Sequence, residues 1–166
     1  VLLTGALSLP ASADSLCFNE AGAEYGVAPQ LLWAISKRES DHNPFAYNRN
    51  TDGSYDYCHM QINSSSWYDE LGKDRWEALA DPCQCTRTGA WILSKCVKKY
   101  GYTWKAVGCY HSQTPDKRDK YALDIANIIK KSQFPLTVSP QQENHPPGTN
   151  NLTKLVWGDT SAAPTP

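Results

Sequence analysis

Apolar residues recur at helical spacing along most of the chain between residues 14 and 131, with short polar connections between the runs. Leu31, Leu32, Trp33 and Ile35 follow Ala28-Pro29 and lead to Glu39, so a helix is predicted with proline at its first position; Asn43-Pro44 forbids its continuation. The segment Asn48-Arg-Asn-Thr-Asp-Gly-Ser-Tyr-Asp-Tyr57 is polar and holds Asp52-Gly53, a favoured turn pair, which predicts one small β-hairpin. Further helices are predicted around Ser65 to Leu71, over Thr86 to Tyr100 with Ala90, Leu93 and Val97, over Trp104 to His111, and over Tyr121 to Ile129 with Leu123, Ile125 and Ala126. The fold class expected is α+β, mostly α, with a single hairpin set among helices.

The two ends read differently. Val1 to Pro10 is an apolar run closed by Ala11-Ser12-Ala13, the small-x-small pattern of a signal-peptidase site, so residues 1–13 are expected to be a signal-peptide remnant removed before Asp14. A buried first strand or helix is the competing reading, and Gly5 and Pro10 fit it poorly. No later stretch approaches the roughly 20 apolar residues of a membrane span, so the mature protein is expected to be exported without one. Residues 132–166 hold six of the eleven prolines and three charged residues, the composition of a flexible tail. Its one apolar cluster, Leu152, Leu155, Val156 and Trp157, is the alternative reading, a docking peptide.

Charge and cysteine content narrow the class. With 16 Lys+Arg against 17 Asp+Glu, the chain has no bulk attraction for nucleic acid or an anionic membrane. The charge is nonetheless unevenly divided: residues 14–81 hold twelve acids and five bases, and residues 82–131 three acids and ten bases. This is either a solvated lysine face or a contact with an anionic polymer. Six cysteines, Cys17, Cys58, Cys83, Cys85, Cys96 and Cys109, suit an oxidising compartment and up to three disulfides. Cys83-Gln-Cys85 and Cys58-His59 are potential metal ligands, but no CxxC or HxxxH spacing accompanies them, and neither metal nor cofactor is expected. If Cys85 and Cys96 share a helix they are about 16 Å apart and cannot be partners. Cys96 and Cys109 are nearly symmetric about Gly101-Tyr102, so an antiparallel helix pair could bring them together; Cys58 with Cys109 is the main rival.

The carboxylates that could do chemistry are Glu39 and Asp56. Glu39 shares a helix face with Leu31 and Ile35 at i, i+4, i+8 spacing and stands in the last turn, where both desolvation and the helix dipole disfavour its charge. At pH 7 a carboxyl with a pKa of about 4.3 is protonated about 0.2% of the time, and one tuned to about 6 about 9% of the time, a gain of roughly fortyfold in competent acid. Asp56 stands on the hairpin, with Tyr55 and Tyr57 directed to the opposite face. An acid on a buried helix end opposite an anion on a polar hairpin is what glycoside cleavage requires. Asp52 is better explained as the turn residue.

These residues resemble two related groups. The hairpin stretch to Tyr57, followed by His59-Met-Gln-Ile-Asn-Ser64, is similar to the catalytic hairpin of animal c-type lysozymes, with the same Glu-to-Asp interval. The frame resembles bacterial SLT-type lytic transglycosylases through four ordered blocks: Ala34-Ile-Ser-Lys-Arg-Glu-Ser40 with Asn43-Pro44; Met60-Gln-Ile-Asn63; Asp81-Pro82 with Thr88-Gly-Ala-Trp-Ile-Leu93; and Ala106-Val-Gly-Cys-Tyr110. The most similar subgroup is the small specialised enzymes of secretion, pilus and conjugation systems, and the resemblance covers about residues 17 to 128.

The resemblance implies a lysozyme-like fold over residues 14–131, with Glu39 as general acid/base and Asp56 as second carboxylate. It also implies sugar contacts from Ser40, Gln61, Asn63 and Tyr110, with Tyr121 beside the acid, and it suggests a Cys17 to Cys83 pair, which leaves Cys58 for Cys85 where Cys96 joins Cys109. The implied reaction is peptidoglycan cleavage at the MurNAc–GlcNAc β-1,4 bond to a 1,6-anhydro end by a periplasmic or wall-associated monomer, with a secretion or conjugation component as possible partner of the tail. Lysozyme-type hydrolysis by Glu39 and Asp56 is the nearest alternative. An inactive peptidoglycan-binding assembly protein is the alternative of another class. The chain departs from the family where Gly-Leu-Met-Gln becomes Cys58-His59-Met60-Gln61, and where Ala-Tyr-Asn-Ala-Gly becomes Cys109-Tyr110-His111-Ser112-Gln113. His111 thereby becomes a titratable or hydrogen-bonding group near the acid.

Overall fold

A computed structural model describes residues 16–132; the expected signal-peptide remnant and the proline-rich tail beyond residue 132 lie outside the described residues. Six helices surround a small sheet: α1 (Phe18–Tyr25), α2 (Pro29–Ser40), β1 (Tyr47–Arg49), β2 (Tyr55–Tyr57), β3 (Ile62–Asn63), α3 (Ser64–Glu77), a 3₁₀ turn (Ala78–Ala80), α4 (Pro82–Tyr100), α5 (Trp104–Cys109) and α6 (Pro115–Lys131). The strands form an antiparallel meander in the order β1-β2-β3. The fold is mostly α with a small sheet, as its patterning indicates. None of these helices is long and apolar enough to cross a membrane.

Helix boundaries follow local chemistry. Asp81 caps α4, its Oδ1 accepting the Gln84 N–H at 2.9 Å, and Pro82 takes the first position. That moves the start of the helix ahead of Thr86, where the apolar stripe begins. Similarly, α6 begins at Pro115 rather than Tyr121, because its first turn is polar and carries no hydrophobic period. α3 runs past Leu71 to Glu77, crossing a kink at Gly72, where φ is 72°. α5 ends at Cys109, two residues short of the expected His111. Periodicity missed α1 and β3: α1 is eight residues long with only Phe18, Ala21 and Gly22 buried, and a two-residue strand has no period to show.

α4 is the spine of the molecule. Ile92, Leu93 and Ala90 are buried on it against Ile35 of α2, Val107 of α5 and Ile125 of α6, all in one core. All six cysteines are in disulfides, and each bond ends on α4: Cys17–Cys83 ties down the start of α1, Cys58–Cys85 the β2–β3 turn, and Cys96–Cys109 the end of α5. Loops of 66, 27 and 13 residues are closed, each worth about 3 to 4 kcal/mol by chain entropy. Gly89 lets α4 approach the sheet, because a Cβ there would run into the Met60 side chain and lie 3.3 Å from the Tyr110 hydroxyl. The sheet is thereby held beside the C-terminal end of α2.

Candidate active site

The period-2 alternation of the hairpin separates its two faces. Asn48 pairs with Asp56 across β1 and β2, and Asp56 with Asn63 across β2 and β3, so three polar side chains share one face. Tyr47, Tyr55 and Tyr57 occupy the other, where Tyr47 stacks on Tyr55 with ring centroids 5.5 Å apart and Tyr55 meets Trp76 of α3 edge-on at 5.7 Å. The aromatic side anchors the sheet to α3 and turns the polar side into a groove of about 650 Å³.

Glu39 and Asp56 both line that groove. Burial pushes the Glu39 carboxyl above the ordinary range, and the Asp56 charge adds to this; the Tyr121 hydroxyl and the Arg38 charge oppose it without cancelling it. The Tyr121 hydroxyl donates to Glu39 Oε1 at 2.5 Å, which leaves Oε2 to carry the acidic proton. Burial and the Glu39 charge hold Tyr121 well above its usual value, so it remains a donor. Arg38 lies 5.7 Å over the Tyr121 ring and is itself engaged by Asp124 at 3.4 Å. Asp56 is gripped by amides alone: Asn63 Nδ2 donates to Oδ1 at 2.7 Å, and Asn50 and Asn48 donate to Oδ2 at 3.1 and 3.3 Å. Three donors from two strands and a turn fix the orientation of this carboxylate.

The remaining residues singled out in the sequence divide into those in the groove and those behind it. Gln61, Asn63, Tyr110 and His111 line it. Gln61 has a left-handed backbone (φ 50°) and its Nε2 donates to the Cys58 carbonyl at 2.9 Å, closing the β2–β3 turn from within. Asn63 also caps α3, accepting the Ser66 N–H at 3.1 Å. The Tyr110 hydroxyl donates to the Met60 carbonyl at 2.8 Å, and the His111 ring lies 4.9 Å from the Tyr121 ring and nearly parallel to it. Ser40 and Tyr121 are not among the groove-lining residues. The Ser40 hydroxyl donates to the His59 carbonyl at 2.9 Å, so it braces the turn behind the acid. Asp52 is a turn residue, its Oδ1 accepting both the N–H and the hydroxyl of Ser54, which holds its pKa down.

Sequence reasoning missed Asn48 and Asn50 as the clamp on Asp56: a two-residue turn at Asp52-Gly53 would set Arg49 opposite Asp56, whereas the observed register is one residue shifted and pairs it with Asn48. It also missed Trp67 and Ile92, which give the groove its apolar patches, and Lys117 on its α6 side. Among the described residues no cluster of His, Cys, Asp and Glu is arranged to hold a metal ion.

A buried polar chain supports the helix that carries Glu39. His59 is fully buried, and burial lowers its pKa to about 4, so its ring is neutral. Its Nε2 lies 3.1 Å from the Pro82 carbonyl, an acceptor only, so Nε2 carries the hydrogen and Nδ1 accepts from the Ser36 hydroxyl at 2.8 Å. Ser36 then accepts from His42 Nδ1 at 2.9 Å. One run of hydrogen bonds thus joins α2, the β2–β3 turn and the start of α4.

Comparison with known proteins identifies this frame. The family model described as the transglycosylase SLT domain matches residues 16–132. Protein IpgF of Shigella sonnei is 35% identical over 130 residues, covering 77% of this chain and 86% of the relative. Invasion protein IagB of Salmonella typhimurium is 40% identical over 121 residues, covering 69% and 76%. An X polypeptide of Escherichia coli is 38% identical over 129 residues, covering 70% and 76%. With a matching family model over the whole described body and relatives at this identity, the chain belongs to the transglycosylase SLT domain family and is a peptidoglycan lytic transglycosylase.

Proposed function

We propose that the protein cleaves the β-1,4 bond between N-acetylmuramic acid and N-acetylglucosamine with Glu39 as the only proton carrier. The observation that carries this is a desolvated carboxyl in a groove, with Tyr121 bonded to one of its oxygens. Protonated Glu39 gives its hydrogen to the bridging oxygen as the glycosidic bond breaks. The muramoyl acetamide supports the cation that develops at the anomeric carbon. Glu39, now a carboxylate, takes the proton of the sugar's own 6-hydroxyl, and that oxygen closes on the anomeric carbon as a 1,6-anhydro end. The proton count balances and no water is consumed. Asp56, held by three amides in the same groove, favours a second reading, in which it stabilises or traps the anomeric centre and water completes a hydrolysis.

Two measurements test these readings. Turbidity loss of purified cell walls should collapse in Glu39→Gln; equal rates would remove the catalytic assignment. Mass spectrometry of digested sacculi separates the products, because the anhydro end is lighter than the hydrolysed one by a water. Disulfides throughout and a wall substrate support an exported, periplasmic enzyme. Its biological task, on this reading, is to open the wall locally for a secretion, pilus or conjugation apparatus, which is supported by the similarity to a protein named for invasion. Loss of partner co-purification on deleting residues 135–166, with activity kept, would assign docking to the tail.

A further inference from the structure

The uneven charge of the two halves of the chain meets at the groove. Asp52 and Asp56 of the acidic half stand on the hairpin side; Lys117 of the basic half and His111 stand on the side of α5 and α6. Lys117 is unlike its neighbours. Arg118 is paired with Asp119 and Lys120 with Asp124, whereas Lys117 has no ion pair or hydrogen bond among the described residues. It is also the third residue of α6, in the helix turn where the dipole disfavours a cation. Asp116 shares that turn, but no carboxylate among the described residues forms an ion pair with Lys117. Lys117 and His111 line the same groove; burial holds the His111 pKa down, the Arg38 and Lys117 charges add to this, and Asp56 and Asp124 oppose it. Asp124 already serves Arg38 and Lys120, and Asp56 is held by its amides.

An exposed, unpaired cation on one wall facing carboxylates on the other gives the groove a direction across its width. The substrate of the proposed reaction has the same asymmetry, since a glycan strand is neutral along its sugars but carries, on each muramoyl lactyl group, a peptide with free carboxylates. We infer that Lys117, with the His111 ring beside it, receives stem-peptide carboxylates and so determines which edge of the glycan faces α6. The inference rests on the cleavage reading above and names the part of the substrate that this wall recognises.

The test compares native sacculi with the same sacculi whose free carboxylates have been amidated with a carbodiimide and ethanolamine, using the full chain and Lys117→Glu, Lys117→Ala and Lys117→Arg. The ratio of kcat/KM on native to amidated sacculi should fall about fivefold in Lys117→Glu, less in Lys117→Ala, and return in Lys117→Arg, in line with the worth of one exposed charge contact. Rising salt should lower the ratio in wild type, leave it flat in Lys117→Ala and raise it in Lys117→Glu. A ratio unchanged across the three variants overturns the inference. Glu39→Gln, measured on both substrates, keeps the two claims apart: activity surviving there removes the cleavage reading, whatever Lys117 does.

Discussion

Glu39 and Asp56 face one groove from opposite kinds of ground. Glu39 stands at the end of a helix whose other inward residues, Leu31 and Ile35, are fully buried, and one phenol is its hydrogen-bond partner. Asp56 stands on a polar hairpin and collects three amide donors. The first environment raises the cost of charge; the second supplies what a charged carboxylate needs to stay fixed. Two side chains differing by one methylene are thus set to different tasks by their neighbours, and the division predicts what each substitution does.

The largest effect should come from Glu39→Gln, which keeps shape and hydrogen bonding and removes the transferable proton. Turnover of cell walls is expected to fall about 10³-fold. Asp56→Asn should cost about tenfold to hundredfold, because a neutral amide cannot support positive charge at the anomeric centre. The product distinguishes the readings: anhydro ends persisting in Asp56→Asn fit the Glu39-only reaction, and their replacement by hydrolysed ends would assign ring closure to Asp56. A smaller change follows from Tyr121→Phe. The hydroxyl lowers the Glu39 pKa, so its loss should move the alkaline limb of the rate profile to higher pH, and the looser acid should reduce the maximum rate about threefold. A limb moving to lower pH would show that the phenol supports the protonated form.

Much of this contrast was legible before any coordinates. The i, i+4, i+8 spacing put Glu39 on the apolar face of α2, and the turn chemistry around Asp52-Gly53 put Asp56 on a hairpin. Register and chain crossing were not legible. The Asn63 amide reaches Asp56 because a two-residue strand returns beside β2, and the Tyr121 hydroxyl reaches Glu39 across 82 residues of chain. Ser40 shows the limit of arguing by resemblance: adjacent to the acid in sequence, it bonds the His59 backbone behind the groove. Cys58 shows a substitution explained only by structure. It has φ of 59° where the family has glycine, a left-handed conformation costing about 1 kcal/mol or more for a residue with a Cβ, and its disulfide to Cys85 holds the turn there.

The smallest effect on chemistry, and a distinct one on stability, belongs to His59 beneath the Glu39 helix. Its folded pKa is about 4, against about 6.5 when unfolded, so the folded state resists the proton that the unfolded chain accepts. The neutral ring's contribution is therefore complete above pH 6.5 and is lost as pH falls toward 4, by about 3 kcal/mol at most. His42, bonded to the same Ser36 and also lowered by burial, adds in the same direction. Glu39 acts oppositely: its raised pKa removes stability as pH rises past its unfolded value, so acidification relieves that cost. Thermal melts of Glu39→Gln isolate the histidine contribution, and its Tm should fall more steeply between pH 6.5 and 4 than that of wild type. Adding His59→Gln should lower the Tm at pH 7, by losing hydrogen bonds worth about 1 to 3 kcal/mol, while flattening the acid fall. Parallel slopes with and without His59 would place the acid sensitivity elsewhere and separate the support of the Glu39 helix from its charge.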